Sequence, residues 1–228
     1  MKNILDERPT DDLHGRCLYT TNFVDKKNIE GKTVLDIGCG YGWFELFSVK
    51  NGVKKIVATE INEKNFETAK KYLKNKKIIF TVSDSVVLPF DDESFDTVVS
   101  WEVIEHIPSA FQMKYVSEIS RVLKKRGTMY LSTQNLNISA NIFDLAWWFG
   151  HRHYKMSCLK KMFGKFGFKL IDFKIKGNFW EIFYIFDLYF SKWVLRRKSI
   201  LKNFINPKND EAFFNNNGIA IIFCKFRK

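Results

Sequence analysis

The sequence predicts an α/β fold in which a parallel β-sheet carries helices on both faces. Short apolar runs alternate with helical segments along residues 1–135, and this alternation is typical of βαβ units built on a parallel sheet. The first apolar run also ends in a loop with three glycines, Gly38, Gly40 and Gly42. Such a loop is expected where a strand turns into a helix and the backbone passes close to a ligand.

Five apolar runs in this region predict strands, and helical patterns separate most of them. The predicted strands cover residues 32–38, 54–61, 77–84, 95–102 and 128–135. The predicted helices cover residues 43–52, 62–76 and 108–126. Asn62 is expected to cap the second of these helices, and Gly127 is expected to follow the third.

After residue 135 the chain becomes aromatic and basic. A short helix over residues 157–167, a sixth strand over 168–177 and a final strand over 218–228 are predicted. Between the last two strands lies a helical insertion at about residues 178–215, and one half of its central helix is apolar. The apolar half contains Ile182, Phe183, Ile185, Phe186, Tyr189, Phe190, Trp193 and Val194, and the opposite half contains Glu181, Asp187, Ser191 and Lys192.

Composition indicates one globular domain over residues 1–228. Within it we expect a helical segment at 1–30, a ligand-binding core at 31–135 and a region at 136–228 that completes the sheet and contributes to the site of the second substrate, the acceptor. Apolar residues make up 46% of the 228 residues, which excludes a disordered chain. The four cysteines form no C-x-x-C pair, so neither a zinc site nor a disulfide framework is expected. We expect no signal peptide, no spanning helix and a cytoplasmic location.

The net charge of +12 is unevenly distributed. Residues 1–135 carry a net charge of +1, and residues 136–228 carry +11. This asymmetry suggests either an anionic partner for the C-terminal region or a solubilising basic surface. The insertion has three interpretations: a cap whose apolar half packs on the sheet or a second subunit, a helix on an anionic membrane surface at the inner face of a membrane, or an RNA-binding surface.

The glycine loop does not fit a dinucleotide. Counted from Gly38, the G-x-G-x-x-G fingerprint requires glycine at position 43, where the chain has Trp43. Asp36 in the same segment would repel a phosphate but would attract an ammonium group. The loop therefore favours a positively charged ligand and disfavours a dehydrogenase.

Two further carboxylates follow neighbouring strands. Glu60 ends the second predicted strand, where it can accept hydrogen bonds from ribose hydroxyls. Asp84 ends the third, where it can accept a hydrogen bond from an adenine amino group. A ligand with an ammonium group, a ribose and an adenine but no phosphate is S-adenosylmethionine.

At this point the chain resembles the class I S-adenosylmethionine-dependent methyltransferases. The matching stretches are "VLDIGCGYG", "VATEIN", "TVSDSVVLPF", "FDTVVSWEVIEHI" and "LKKRGTMYLSTQN", which occur in the family's order. "EVIEHI", "STQN" and "HRHYKMSCLKKMFGKFGF" are most similar to the subgroup of ubiquinone-biosynthesis O-methyltransferases. The resemblance implies a Rossmann-like, seven-stranded, mostly parallel sheet whose last strand is antiparallel. It also implies S-adenosyl-L-homocysteine as the product of the cofactor.

The resemblance assigns the candidate cofactor site residue by residue, and Cys39 is interpreted there as a small apolar filler rather than a nucleophile. From the methionine part through the ribose to the adenine and the pocket wall, the candidates are Asp36, Gly38, Cys39 and Gly40, then Glu60 and Ile61, then Asp84 and Ser85, and finally Trp101 and Glu102.

His106 is the catalytic candidate. If residues 102–106 are helical, Glu102, Glu105 and His106 share a face. The imidazole could be the general base that takes a proton from an acceptor hydroxyl, could join the two carboxylates around a divalent cation, or could be structural. We predict no metal site, and the divalent cation remains an open alternative.

The acceptor site is expected after the aromatic segment at 145–150. His151, Arg152, His153 and Tyr154 form a polar cluster there, and His151, His153 and Tyr154 are the substrate-binding candidates. The predicted reaction is O-methylation of a small or lipid-like acceptor. An RNA methyltransferase and a catalytically silent cofactor-binding protein are the alternatives, although no N/D-P-P-Y/F-like motif follows the fourth strand.

Overall fold

The computed structural model describes residues 7–137, 147, 150–199, 201–215 and 218–228. Its centre is one seven-stranded sheet with the strand order β3-β2-β1-β4-β5-β7-β6. The strands are β1 (Thr33–Ile37), β2 (Lys55–Glu60), β3 (Ile78–Val82), β4 (Phe95–Trp101), β5 (Leu123–Gln134), β6 (Lys169–Lys176) and β7 (Ile221–Arg227).

Seven α-helices are described alongside this sheet. They are α1 (Gly15–Phe23), α2 (Trp43–Lys50), α3 (Glu63–Tyr72), α4 (Gln112–Val122), α5 (Met156–Gly164), α6 (Phe179–Tyr189) and α7 (Lys202–Phe214). Short 3₁₀ turns occur at Lys26–Asn28, Ile104–His106 and Ser109–Phe111, and a π-helical turn, Phe190–Val194, directly continues α6.

The strand order places the candidate site. β1 pairs in parallel with β2 on one side and with β4 on the other. The chain therefore adds β2 and β3 on one side of β1 and then crosses to the other side to add β4. The carboxyl ends of β1 and β4 therefore form the crevice where open α/β sheets bind ligands. β7 is antiparallel to both β5 and β6, which confirms the predicted fold class and the direction of the last strand.

Alternation along the buried strands gives the sheet two apolar faces. Leu35 of β1 belongs to the larger core cluster, together with Tyr115 and Ile119 of α4. Its neighbour Val34 points to the opposite face and joins a second cluster with Phe44 of α2. Because successive strand side chains alternate in direction, one short strand supports helices on both sides.

One prediction about a helix end is wrong. The helix predicted to end just before Gly127 ends at Val122, and β5 begins at Leu123. Pairing of Leu123 with Phe95 and the hydrogen bond from the Arg126 N–H to the Lys228 carbonyl (3.1 Å) draw this segment into the sheet. Asn62 is the N-cap residue of α3, as predicted, and has an extended backbone, although its side chain makes no capping hydrogen bond.

The insertion between β6 and β7 is helical, as predicted. A cap on the sheet would turn the apolar half of its central helix inward, but in the structure most of the polar half points inward. Phe183, Phe186 and Phe190 are exposed, whereas Glu181 and Asp187 on the polar half are buried. The polar half packs inward because it has specific partners: for example, the Asn209 amide donates to Glu181 (2.7 Å). Periodicity identified most of the two faces of the helix, although Ile182 of the predicted apolar half is also buried. These partners determine which face points inward.

Among the residues that the structure describes, no helix combines the length and the apolar content needed to cross a membrane.

Candidate functional site

A cavity of about 190 Å³ lies at the carboxyl ends of β1, β4 and β5. The glycine loop forms one side of it, and the N-terminal helix α1 closes another. The lining residues are Arg16, Cys17, Thr20, Asp36, Gly38, Cys39, Gly40, Tyr41, Trp43, Trp101, Glu102 and Ser132. This set includes six of the ten predicted cofactor-binding residues.

Two glycines of the loop have conformations that explain their identity. Gly38 has φ +81°, and a Cβ atom there would come within 2.5 Å of the Val103 side chain. Gly40 has φ +53°, and a Cβ atom there would meet nothing within 4 Å. The backbone of Gly40 therefore borders open space, as it must if a ligand is to approach it closely.

Asp36 is the most unusual group in the cavity. It is 1% exposed, and its carboxyl oxygens receive no hydrogen bond from an N–H or hydroxyl donor among the described residues. The same is true of Glu45, which is fully buried on α2, so these two carboxyl groups interact with each other through a shared proton. Burial, followed by the electrostatic effect of Glu45, raises the pKa of Asp36, and burial raises the pKa of Glu45 to about 7. The site thus holds a desolvated carboxyl pair without a compensating cation.

The two carboxylates predicted to contact the ribose and the adenine lie at the ends of β2 and β3. Glu60 accepts a hydrogen bond from the Gly40 N–H (2.9 Å) and another from the Asn65 amide (3.0 Å). It is therefore fixed beside the glycine loop. Asp84 is exposed, and its carboxylate accepts from the Val86 N–H (3.0 Å). Ile61 is 64% exposed next to Glu60, and Ser85 is half-buried.

Trp101 and Glu102 form the wall beyond β4. The Trp101 indole N–H is buried and has no hydrogen-bond partner in the described part of the chain. Glu102 adopts a left-handed backbone conformation with φ +56°. Its carboxylate accepts from the Ser132 hydroxyl (2.6 Å) and the Gln134 amide (2.7 Å). These bonds fix Glu102 at the cavity.

Arg16 is a site residue that the sequence analysis missed. Its guanidinium donates to Glu102 (3.0 Å) and lies 3.9 Å from the carboxylate of Glu181 on α6. A single arginine in an N-terminal helix has no motif or spacing that would have indicated this role. Glu45 was missed as well, although an acidic residue within the apolar segment "WFELF" was a detectable signal.

Residues 102–106 are not an α-helix, so the hypothesis of one shared face is wrong. Ile104–His106 is a 3₁₀ turn. Glu105 is buried and accepts from the Thr133 hydroxyl (2.9 Å), whereas His106 is exposed and packs edge-to-face against His151 at 4.4 Å between ring centroids. Within the described ranges, no three His, Cys, Asp or Glu side chains form a group that could hold a metal ion.

The environment of His106 favours a neutral ring. Although the side chain is exposed, the ring loses part of its hydration, and this desolvation, followed by the nearby His151, lowers the pKa of His106. A neutral imidazole can accept a proton at neutral pH, which general-base chemistry requires. By contrast, burial raises the pKa of the Cys39 thiol, so Cys39 is held as a thiol and is a poor nucleophile.

A second, open cavity of about 710 Å³ contains the predicted acceptor-site cluster. His151, Arg152 and His153 line it together with Tyr154. The Arg152 guanidinium donates to the Ile107 carbonyl (2.6 Å), which ties this loop to the turn that carries His106. The Tyr154 hydroxyl is buried and donates to the Ile104 carbonyl (3.1 Å). The cluster is thus assembled beside His106.

Comparison with known proteins gives a family match over the region that contains β1 to β4 and most of β5. The family described as "Methyltransferase domain" matches residues 35–131. A ubiquinone biosynthesis O-methyltransferase of Pelagibacter ubique (strain HTCC1062) is 32% identical over 121 residues, which cover 52% of this chain and 48% of that protein. The chain thus spans about half the length of the curated relatives that it matches.

Solved structures share the fold at lower sequence identity. An S-adenosylmethionine-dependent methyltransferase from Mesorhizobium loti aligns with a TM-score of 0.62 at 13% identity, covering 88% of this chain and 93% of that one. Phospholethanolamine N-methyltransferase 2 of Haemonchus contortus, in complex with phosphomonomethylethanolamine and S-adenosylhomocysteine, aligns with a TM-score of 0.65 at 19% identity, covering 92% and 52%. Residues 35–131 of the chain thus match the methyltransferase family, and the chain has the fold of S-adenosylmethionine-dependent methyltransferases.

Proposed function

We propose that the protein transfers a methyl group from S-adenosylmethionine to an oxygen of a small or lipid-like acceptor. The observation that carries the proposal is the buried Asp36 carboxyl, which no N–H, hydroxyl group or cation of the described residues contacts, beside the open backbone of Gly40. A buried carboxylate is costly unless a cation pairs with it. The α-ammonium group of the cofactor supplies that cation, so the residues present fit the cofactor.

Each part of the cofactor has a candidate partner at the strand ends. In the proposal, Asp36, Gly38, Cys39 and Gly40 hold the methionine part, Glu60 and Ile61 the ribose, and Asp84 and Ser85 the adenine, while Trp101 and Glu102 form the wall next to the methyl group.

When bound, the cofactor supplies a methyl group on a reactive sulfonium. The residues of this chain have to hold the acceptor in line with that methyl group and keep water away. His106, whose ring the local environment keeps neutral, would take the proton from the acceptor hydroxyl as the new bond forms. The cavity lined by His151, His153 and Tyr154 would receive the acceptor, since it adjoins His106.

The choice of oxygen and of a lipid-like acceptor is supported by sequence similarity. The matched relative from Pelagibacter ubique is a ubiquinone biosynthesis O-methyltransferase. An RNA methyltransferase and a silent cofactor-binding protein are the competing functions, and the identity of the methylated product distinguishes all three.

Cofactor binding should depend on pH. The raised pKa values of Asp36 and Glu45 mean that the empty pair retains a proton near neutrality. A bound ammonium group favours the ionised form, so binding releases that proton, and affinity increases as pH rises through about 7. Titration calorimetry with S-adenosylhomocysteine should show an affinity several-fold to about tenfold higher at about pH 8 than at about pH 6. Glu45→Gln should flatten this dependence, and an affinity that falls with rising pH would contradict the assignment.

Replacing His106 should separate catalysis from binding. His106→Ala should leave the calorimetric affinity for S-adenosylhomocysteine unchanged and should reduce turnover by about 10²–10⁴-fold if the imidazole is the base. Residual turnover should rise with pH as the acceptor hydroxyl ionises without help. A normal rate at all pH values would mean that His106 is structural.

The proposed reaction is tested by supplying methyl-labelled S-adenosylmethionine to the purified protein together with an extract of its own cells. Label in the organic phase is expected, and hydrolysis of the product should identify a methyl ether or ester. Nuclease-sensitive label in the aqueous phase would instead establish the RNA methyltransferase. Absence of transfer by a protein that still binds S-adenosylhomocysteine would establish the silent binder.

A further inference from the structure

The outward side of the insertion carries a continuous apolar stripe. Phe179, Phe183, Phe186, Phe190 and Val194 recur at intervals of three or four residues, so they lie on one face of α6 and the π-helical turn. Each of them is between 39% and 64% exposed. Soluble proteins rarely expose so long an apolar stripe unless it contacts a partner or a membrane.

The second helix of the insertion extends this stripe into a patch. The Trp180 ring packs edge-to-face on Phe204 of α7 (6.0 Å between centroids) and on Phe183 (6.1 Å). The ammonium group of Lys208 lies 4.5 Å from the centre of the Trp180 ring. We call this surface, made of the stripe with Trp180 and Phe204, the aromatic face.

The inward side of α6 explains why the aromatic face points to solvent. Glu181 is hydrogen-bonded to Asn209 and lies close to Arg16, and Asp187 accepts hydrogen bonds from Ser191 (3.4 Å) and from Ser199. Rotating the helix to bury the phenylalanines would expose or break these contacts. The orientation is thus built in by buried polar groups, and the outward aromatic face is a feature of the folded state.

Basic residues follow the apolar stripe closely along the chain. Arg196 and Arg197 are exposed in the segment that joins the two helices, and Lys202 is exposed at the first position of α7. Residues 190–208 contain no acidic residue, and the acidic side chains Glu181 and Asp187 of α6 are buried on the other side. Aromatic side chains at an interface with flanking cations match the chemistry of an anionic lipid surface.

We propose that the aromatic face docks on an anionic membrane, with its phenylalanines in the interfacial layer and Arg196, Arg197 and Lys202 against lipid headgroups. A second copy of the chain fits less well, because a symmetric contact would bring these like charges together. The docked helix also contacts the cavity wall, since Arg16 lines the cavity and lies near Glu181. Membrane binding would therefore hold the cofactor site close to the lipid phase.

The test is co-sedimentation of the full chain with vesicles of phosphatidylcholine alone or mixed with phosphatidylglycerol. Binding is expected only to the phosphatidylglycerol vesicles, and added salt should weaken it. Phe186→Ser with Phe190→Ser should lower the partition coefficient at least about tenfold, because two exposed rings lose their apolar environment. Arg196→Gln with Arg197→Gln should lower it several-fold.

Tyr72→Ser with Phe111→Ser is the matched control, because these rings are similarly exposed outside the insertion. This control pair should bind vesicles as the unmodified chain does, and all variants should keep their melting temperatures. Failure to bind phosphatidylglycerol vesicles, or an equal loss in the control pair, would overturn the proposal. So would a dimer that the Phe186/Phe190 variant dissociates, or an RNA affinity that this variant abolishes without an effect on vesicles. The readout requires no methyl transfer, so it stands or fails independently of the proposed reaction.

Discussion

Asp36→Asn should weaken S-adenosylhomocysteine binding by about 10–100-fold while leaving the fold as stable as before or more stable. The affinity falls because the neutral amide no longer pairs with the ammonium group of the ligand, and a charge-assisted hydrogen bond contributes about 1.5–3 kcal/mol. The stability rises or holds because the folded protein raises the pKa of Asp36. A carboxyl group whose pKa is higher in the folded than in the unfolded state lowers the free energy of unfolding as pH rises through that range. Replacing it with a neutral amide removes this penalty at neutral pH.

Calorimetry and thermal unfolding at neutral pH measure the two effects together. Asp96→Asn is the matched control, because Asp96 accepts hydrogen bonds from the Thr33 N–H (2.9 Å) and the Lys124 ammonium group (2.9 Å) at the amino end of the sheet. That substitution should lower stability and leave affinity unchanged. An Asp36→Asn protein with normal affinity and reduced stability would show that Asp36 is structural.

Arg16→Met should destabilise the protein by about 2–4 kcal/mol, because it leaves the carboxylates of Glu102 and Glu181 without a positive charge beside them. Arg16 contacts Glu102, which is mostly buried, and lies near Glu181, which is 1% exposed. Chemical denaturation at neutral pH measures the loss. Adding Glu181→Gln to Arg16→Met should recover part of it, since the second change removes one of the two stranded charges.

A surface ion pair supplies the comparison for Arg16. Lys50 pairs with Asp11, and both side chains are more than half exposed. Lys50→Met should change stability by less than about 1 kcal/mol. If Arg16→Met lowers the free energy of unfolding no more than Lys50→Met does, the guanidinium of Arg16 does not link the cavity wall to the insertion.

Local patterns were sufficient for six of the seven strands and for the strand-end carboxylates. A buried strand followed by glycines fixes where β1 ends, and Asp36 and Glu60 follow from the strand ends. Arg16 could not be predicted in this way, because its bond to Glu102 joins residues 86 positions apart and depends on how α1 packs. The orientation of α6 was equally inaccessible, since it depends on the distant partners Asn209 and Arg16.

The segment after α4 illustrates a different limit. Residues 123–127 continue a helical pattern, yet they form the start of β5 because the sheet offers Phe95 and Lys228 as backbone partners. Helix propensity is weak compared with such tertiary pairing. Boundaries between a helix and a following strand are therefore set by the assembled sheet.

The most direct test of the cofactor site is a crystal structure of the protein grown with S-adenosylhomocysteine. The proposal predicts density in the cavity at the ends of β1 and β4, with the ligand ammonium group bonded to Asp36 and the ribose hydroxyls bonded to Glu60. Density at any other place, or a ligand whose ammonium group and ribose contact neither carboxylate, would contradict it.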